Sequence, residues 1–168
     1  MGNIKDFDPT RIDTTAEYGL GIIAPGGGLP DQYQYVGYHY GDGSVTATKG
    51  HIGYFCASGT ESVNPFTVTE DHDATTKVNT SYALAAGEFM SALTNGTFGW
   101  IKKKGLNENI GLSDDSVDDG EQITPADADG SVKGVAAGTA CSPVIGYGLV
   151  ADGGTAPPVG SILWNFPI

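Results

Sequence analysis

The sequence predicts an all-β protein: a small β-barrel or β-sandwich domain with Gly-rich loops and an extended N-terminal arm. Short runs of β-branched and aromatic residues alternate with turn residues along the whole chain, which is typical of many short strands. No segment shows the 3.6-residue apolar period of a long amphipathic helix. With 168 residues, 26 of them glycine, the chain has the length of one domain rich in turns.

The N-terminal residues 1–16 hold few apolar side chains and no period, so we predict an arm ahead of a single β domain at 17–168. We expect the arm to bind a partner, and its expected contact residues are Ile4, Lys5, Phe7, Arg11 and Ile12. The start of the chain lacks the apolar core of a signal peptide, and no apolar run is long enough to span a membrane.

The first predicted strands are rich in tyrosine. "YGLGIIA", 18–24, is a short strand that "PGGGLP" ends, and "QYQYVGYHY", 32–40, follows as a second strand. Tyrosine changes phase at Gly37, which predicts a β-bulge there. The strand therefore presents tyrosines on both faces: Tyr33, Tyr35, Tyr38 and Tyr40.

A hairpin is predicted around Asn95-Gly96, because this dipeptide supplies the positive φ angles of a tight turn between two β-prone arms. On its second arm, alternation places Phe98 and Trp100 on one face, and Ile101 on the other. Lys102 and Lys104 would continue the Trp100 face, with Lys103 opposite. Residues 107–130 are polar and acidic and are expected to be loop-rich, and two strands around "ADGGTAPP" close the chain.

The chain carries 8 Lys+Arg against 20 Asp+Glu, a net charge of −12, which opposes nucleic-acid binding. Three of the basic residues are Lys102, Lys103 and Lys104. We predict that they form the solvated exit of their strand and hinder edge-to-edge pairing. We expect them to meet acids such as Asp114 and Asp115, or the acids of a neighbouring subunit.

The sequence lacks complete motifs for catalysis or cofactor binding, because the partial matches do not have the surrounding residues that these motifs require. "GLGIIA", 19–24, fits G-x-G-x-x-A, but "PGGG" follows it where a helix is required. The three histidines are dispersed, "DADG" does not fit a calcium loop, and no G-x-S-x-G motif occurs. The sequence therefore predicts no enzyme, no cofactor and no metal site. Cys56 and Cys141 are too few for a disulfide framework.

Two C-terminal segments, "GEFMSALTNGTFGWIKKKG" and "DGSVKGVAAGTACSPVIGYGLVADGG…VGSILWNF", resemble the capsid decoration, or cement, proteins and related head proteins of tailed phages. The resemblance covers 87–166 and follows a pattern of Gly and apolar positions. The matching positions are Phe98, Gly99, Trp100, Ile101, Gly105, Asp129, Gly130, Val132, Ile145, Gly146, Leu149, Ile162 and Leu163. Lys102 departs from the pattern, which usually has Gln there.

The resemblance implies a virion protein on the outer surface of the capsid. Such a protein binds the major capsid protein, bridges capsomers and stabilises the head, commonly as a homotrimer. Two alternatives stay open at this point. One is an adhesion or fibre-type module that stacks glycans on Tyr33, Tyr35, Tyr38 and Tyr40, and the other is a different tail or neck component.

Overall fold

The computed structural model describes residues 4, 7–26, 31–40, 46–56, 66–71, 85–107, 117–126, 128–136, 139, 144–149 and 162–166. Every helix or strand assigned in these ranges is a strand, which confirms the all-β prediction. The strands are β1 Ile23–Pro25, β2 Gln32–Tyr38, β3 Ile52–Phe55, β4 Thr67–Thr69, β5 Ala85–Phe89, β6 Phe98–Leu106, β7 Gln122–Pro125, β8 Val132–Val135, β9 Gly146–Gly148 and β10 Ile162–Asn165.

One ten-stranded sheet contains all of these strands in the order β1-β2-β4-β3-β5-β6-β10-β9-β7-β8. An additional pairing of β2 with β6 closes the five strands from β2 to β6 into a barrel. β2 and β4 pair in parallel, and the other pairs are antiparallel. The small β-barrel of the prediction is therefore present, with β1 and the C-terminal strands added outside it.

The barrel encloses the middle one of three buried apolar clusters. Its members are Val36, Tyr38, Ala47, Val68, Ala86, Phe89, Leu93 and Ile101. A second cluster joins the outside of β3 to the C-terminal strands, where Trp164 and Phe166 pack with Ile52 and Tyr54. A third lies outside β2 and β6 and contains Tyr33, Tyr35 and Trp100. Apolar burial thus holds both additions onto the barrel.

The N-terminal segment packs against this third cluster. The Phe7 ring meets the Trp100 ring edge-on with centroids 5.0 Å apart, and the Tyr33 ring at 5.3 Å. Further along, Asp13 forms a β-bridge with Phe98, and its N–H lies 2.9 Å from the Phe98 carbonyl. The described part of the predicted arm is therefore a layer of its own domain.

The bulge predicted at Gly37 of the tyrosine strand is absent there, and the extra residue of the β2–β6 pairing lies on β6. Gly37 pairs in regular register with Phe98, while the shift falls between Gln32 and Tyr33. There Lys102 pairs with Tyr33 and Lys104 with Gln32, so Lys103 is the extra residue. Tyrosines lie on both faces because Tyr35 and Tyr38 are an odd number of positions apart, which needs no bulge.

The structure also bears on the predicted Asn95-Gly96 turn and on residues 107–130. The predicted turn at Asn95-Gly96 is present, with Gly96 at φ 77° and a Thr97 N–H bond of 3.0 Å to the Thr94 carbonyl. The loop that contains it is longer than a two-residue hairpin, because Phe89 and Ile101 form the nearest strand pair. The stretch 107–130, expected to be loop-rich, contains the strand β7, which the sequence analysis did not predict.

We predict that Gly105→Ala lowers the free energy of unfolding by about 2–4 kcal/mol. Gly105 has φ 114°, a region that L-residues rarely adopt, and a Cβ there would overlap the Asp31 carboxylate. Gly96→Ala is the matched control, because Gly96 also has positive φ but open space around it, and we expect a loss of about 1 kcal/mol. Denaturant unfolding of both variants measures the difference, and equal losses would contradict the overlap.

Candidate partner-binding surfaces

The three consecutive lysines of β6 lie in three different environments. Lys102 lies outside the barrel wall, 1% exposed, and its Nζ donates to the Leu106 carbonyl at 2.8 Å. The same Nζ is 3.4 Å from Asp31 Oδ1 and 5.3 Å from the centroid of the Tyr33 ring. Lys102 is therefore a buried, charge-paired residue of the structural framework.

Lys103 points to the opposite side of β6 and is also 1% exposed. Its Nζ donates to the Ala86 carbonyl at 2.6 Å and lies 5.1 Å from the centroid of the Phe55 ring. Burial lowers the pKa of this amine from its ordinary 10.5 to about 8. The amine thus carries its charge at neutral pH against an unfavourable environment.

The burial of Lys102 and Lys103 corrects the prediction that all three lysines are solvated, while contact of the lysines with acids of a loop or a neighbouring subunit stays a prediction. Lys102 and Lys103 are closed off from a partner, because alternation places them on opposite sides of β6 and both sides are covered by other residues. Only Lys104 is partly exposed. The predicted acids Asp114 and Asp115 lie outside the described residues.

Glu88 is a buried carboxylate that the sequence analysis did not single out. It is 0% exposed and lies directly opposite Lys102 in the β5–β6 ladder. The Trp164 indole N–H donates to Glu88 Oε2 at 2.7 Å, which connects the C-terminal strands to the barrel. A lone Glu in "AAGEFM" gives no periodic signal, so only the strand pairing reveals its partners.

The aromatic platform that the glycan-stacking alternative requires is not available at the surface. Tyr33, Tyr35 and Tyr38 are at most 3% exposed, and Trp100 and Trp164 at most 2%. Tyr40 is partly buried against the barrel core. These rings build the apolar clusters, because aromatic side chains contribute most when their whole surface is removed from water.

A clamp of polar contacts fixes the N-terminal segment on Tyr35. The Tyr35 hydroxyl donates to Asp13 Oδ2 at 2.7 Å, and Arg11 Nε donates to Asp13 Oδ1 at 2.6 Å. Burial and then the bond to Asp13 raise the pKa of the Tyr35 hydroxyl, and the same carboxylate raises the pKa of Arg11. The clamp therefore fixes the Asp13 side chain at the base of an otherwise exposed segment.

We use the name N-terminal surface for four exposed residues: Arg11 and Ile12 next to the clamp, and Ile22 and Ile23 at the start of β1. Ile12 is 46% exposed, Ile22 39% and Ile23 37%. The clamp holds Arg11 and Ile12 beside Tyr35, and the Tyr35 N–H donates to the Ile22 carbonyl at 3.0 Å. Of the predicted partner contacts, Arg11 and Ile12 thus lie outward.

The remaining predicted contacts of the arm are placed differently. Ile4 and Phe7 are half-buried and pack inward on the third cluster. Lys5 lies outside the described residues. Binding of a partner by these residues stays a prediction, and the inward packing of Phe7 makes it a folding contact in this conformation.

A second apolar surface crosses β6, β10 and β9. Strand register aligns Leu106 with Leu163, and Leu163 with Tyr147, so the three side chains share one face in adjacent strands. Leu106 is 43% exposed and Tyr147 42%. Leu149, also 42% exposed, lies two positions after Tyr147. We call these four residues the apolar row.

A His–Glu pair lies between the barrel and the β7–β8 turn. His51 Nδ1 contacts Glu70 Oε1, Thr48 N–H donates to the same carboxylate, and Gly130 packs on the imidazole ring. Within the described ranges, no group of three His, Cys, Asp or Glu side chains is arranged to hold a metal ion. No helix in that part of the chain is long and apolar enough to cross a membrane.

Comparison with known proteins found no relative of this chain. The chain matches no protein-family model, no curated protein and no solved structure.

We predict that Lys103→Met raises the free energy of unfolding at pH 7 by up to about 3 kcal/mol. Below pH 8 the amine is charged in both states, so the folded state carries the full burial penalty. Between pH 8 and 10.5 the unfolded chain binds a proton that the folded chain does not, so the wild type gains stability as pH rises. The advantage of the variant should shrink over that window.

Urea unfolding between pH 7 and 9.5 measures this difference, and Lys104→Met is the matched control. Lys104 is the next residue on the same strand but is partly exposed, so its replacement makes the same chemical change without removing a buried amine. A constant difference between wild type and Lys103→Met across the window would show that the amine is not the titrating group.

Proposed function

We propose that this chain is a virion structural protein that decorates a tailed-phage capsid, binds the major capsid protein and bridges neighbouring subunits of the shell. The observation that carries the proposal is the separation of exposed apolar residues into two surfaces. The large exposed apolar side chains of the described residues are Ile12, Ile22, Ile23, Leu106, Tyr147 and Leu149. The first three belong to the N-terminal surface and the last three to the apolar row.

Bridging requires two contact surfaces on one rigid body. Ile22 and Ile23 of the N-terminal surface lie at β1, the edge strand of the sheet, and Ile12 lies next to the Asp13–Phe98 bridge at the start of β6. The apolar row lies at the other end of β6 and on β10 and β9. Closed hydrogen bonding around the barrel holds the two surfaces at a fixed separation. A rigid spacer suits a lattice, because each contact can be weak while simultaneous engagement gives avidity.

The N-terminal surface is the one that we assign to the capsid. The Asp13 clamp holds Ile12 in place before binding, and backbone pairing with β2 holds Ile22 and Ile23, so little conformational entropy is lost on association. Arg11 beside them is a long cationic side chain on a protein of net charge −12. A ligand that binds only the assembled lattice shifts the assembly equilibrium toward it, which is the mechanism of stabilisation that we propose.

The glycine pattern that carries the resemblance has structural roles that suit such a rigid domain. Gly99 lies against Leu93, Gly130 against His51, and Gly146 against Trp164. At each of these positions a side chain would collide with the neighbouring residue. The resemblance therefore rests on positions that fix packing, and the surfaces around them are free to differ between members.

The direct test is co-sedimentation with expanded capsids of the encoding phage, prepared without this protein. We expect Ile12→Asp and Ile22→Asp to lower the pelleted fraction at least tenfold at micromolar protein, because each places an unpaired charge in an apolar contact. Leu106→Asp is the matched control for an exposed apolar residue on the other surface, and its single-site binding should persist.

Two results would contradict the proposal. Wild-type protein that stays in the supernatant at micromolar concentration would rule out capsid decoration. Equal loss of binding in Leu106→Asp and Ile12→Asp would remove the assignment of the capsid contact to the N-terminal surface. Circular dichroism of each variant confirms that the β domain remains folded.

A further inference from the structure

We propose that the apolar row is an interface for a second copy of this chain, arranged face to face around a two-fold axis that runs along the row. The inference assigns a partner to the second surface and, in that respect, rests on the proposed function. Its own evidence is the distribution of charge on either side of the row.

One side of the row is basic. Strand register continues the row from Tyr147 to Gln122 on β7 and Val135 on β8. Two positions away along the strands, on the same face, lie Lys104 of β6, which pairs with Asn165, and Lys133 of β8, which pairs with Thr124. Both lysines are partly exposed.

The other side of the row is acidic. The turn Asp118–Glu121 precedes β7 and is fixed to β9, because the Gly120 N–H lies 3.0 Å from the Gly148 carbonyl and the Gly148 N–H 2.9 Å from the Glu121 carbonyl. Asp118 and Asp119 are exposed. The turn therefore lies next to Leu149, on the side of the row away from Lys104 and Lys133.

The charge order selects the symmetry of the contact. A two-fold axis along the row keeps apolar residues facing apolar residues and places the basic side of one copy over the acidic side of the other. An axis along the strands would instead place lysines over lysines. Only the first arrangement is self-complementary, as an isologous interface must be. It brings Lys133 of each copy over the turn that holds Asp119 of the other, since β8 and β7 are adjacent strands.

The size of the face predicts a weak dimer. Five strands at ~4.8 Å spacing extend about 19 Å, which places the contact at the low end of specific interfaces. Two chains of net charge −12 also repel one another. At 0.15 M salt the screening length is about 8 Å, so this long-range repulsion is reduced more than the close Lys–Asp contacts. A dissociation constant in the micromolar range follows, and the symmetry gives a dimer in place of the trimer that the resemblance implies.

Sedimentation equilibrium of the full chain at 0.15 M salt tests the inference by charge reversal and rescue. We expect species of one and two times 17.3 kDa in wild type. Lys133→Glu alone and Asp119→Lys alone should each weaken dimerisation roughly 3- to 30-fold, because each contact occurs twice in the dimer. The double variant Lys133→Glu/Asp119→Lys restores the opposite charges and should recover most of the affinity.

Apolar substitutions provide the second arm of the test. Tyr147→Asp should abolish the dimer. Ile23→Asp changes a similarly exposed residue of the N-terminal surface and should leave the dimer unchanged. A wild-type monomer at 100 μM, a wild-type trimer, or a double variant no better than the single variants would overturn the inference. Capsid pelleting separates the two proposals, since Tyr147→Asp removes the dimer and leaves the N-terminal surface intact.

Discussion

The pairing of β2 with β6 is the constraint on which the rest of the structure depends. It closes the barrel, and its regular part aligns Tyr35 with Trp100, the two rings on which the N-terminal segment is packed. Its irregular part inserts Lys103 as a bulge. Because one extra residue reverses the facing of everything that follows, Gly105 and Leu106 take up the orientations that the C-terminal strands require.

Buried charge connects the barrel to those C-terminal strands. Lys102 leaves the barrel wall on the same side as Glu88, and the Trp164 indole N–H reaches Glu88 from β10. Asn107 completes the join, since its Oδ1 accepts the Ile162 N–H at 2.9 Å. Replacing one member would leave the others desolvated and incompletely paired, which is costly in a low dielectric. The C-terminal strands are thus specified by polar partners as well as by apolar burial.

Local signals predicted the fold class well and the surfaces poorly. Turn chemistry predicted Asn95-Gly96, and alternation predicted the opposite facing of Trp100 and Ile101, because both depend on neighbours in sequence. The burial of Lys102 and Lys103 depends on contacts with residues far away in the sequence, such as Asp31, Phe55 and Ala86, which no local pattern encodes. Three adjacent lysines therefore predict a solvent-exposed segment, although two of them are buried in the structure. β7 was missed for the same reason, since its partners β8 and β9 follow it in the chain.

The positions of the two exposed surfaces follow from what covers the barrel. Its outer wall is enclosed on one side by Phe7 and Tyr18 and on another by Trp164 and Phe166, so little apolar area remains exposed along the wall itself. Apolar side chains stay exposed where these covering layers end. One such place is the edge strand β1, and the other is Leu106, where β6 continues past the barrel. An edge strand that ends in Pro25 resists extension by a further strand, so contacts there are made by side chains. The same layers that stabilise the domain thus place its apolar side chains at two separate sites, which is the geometry that a bridging protein requires.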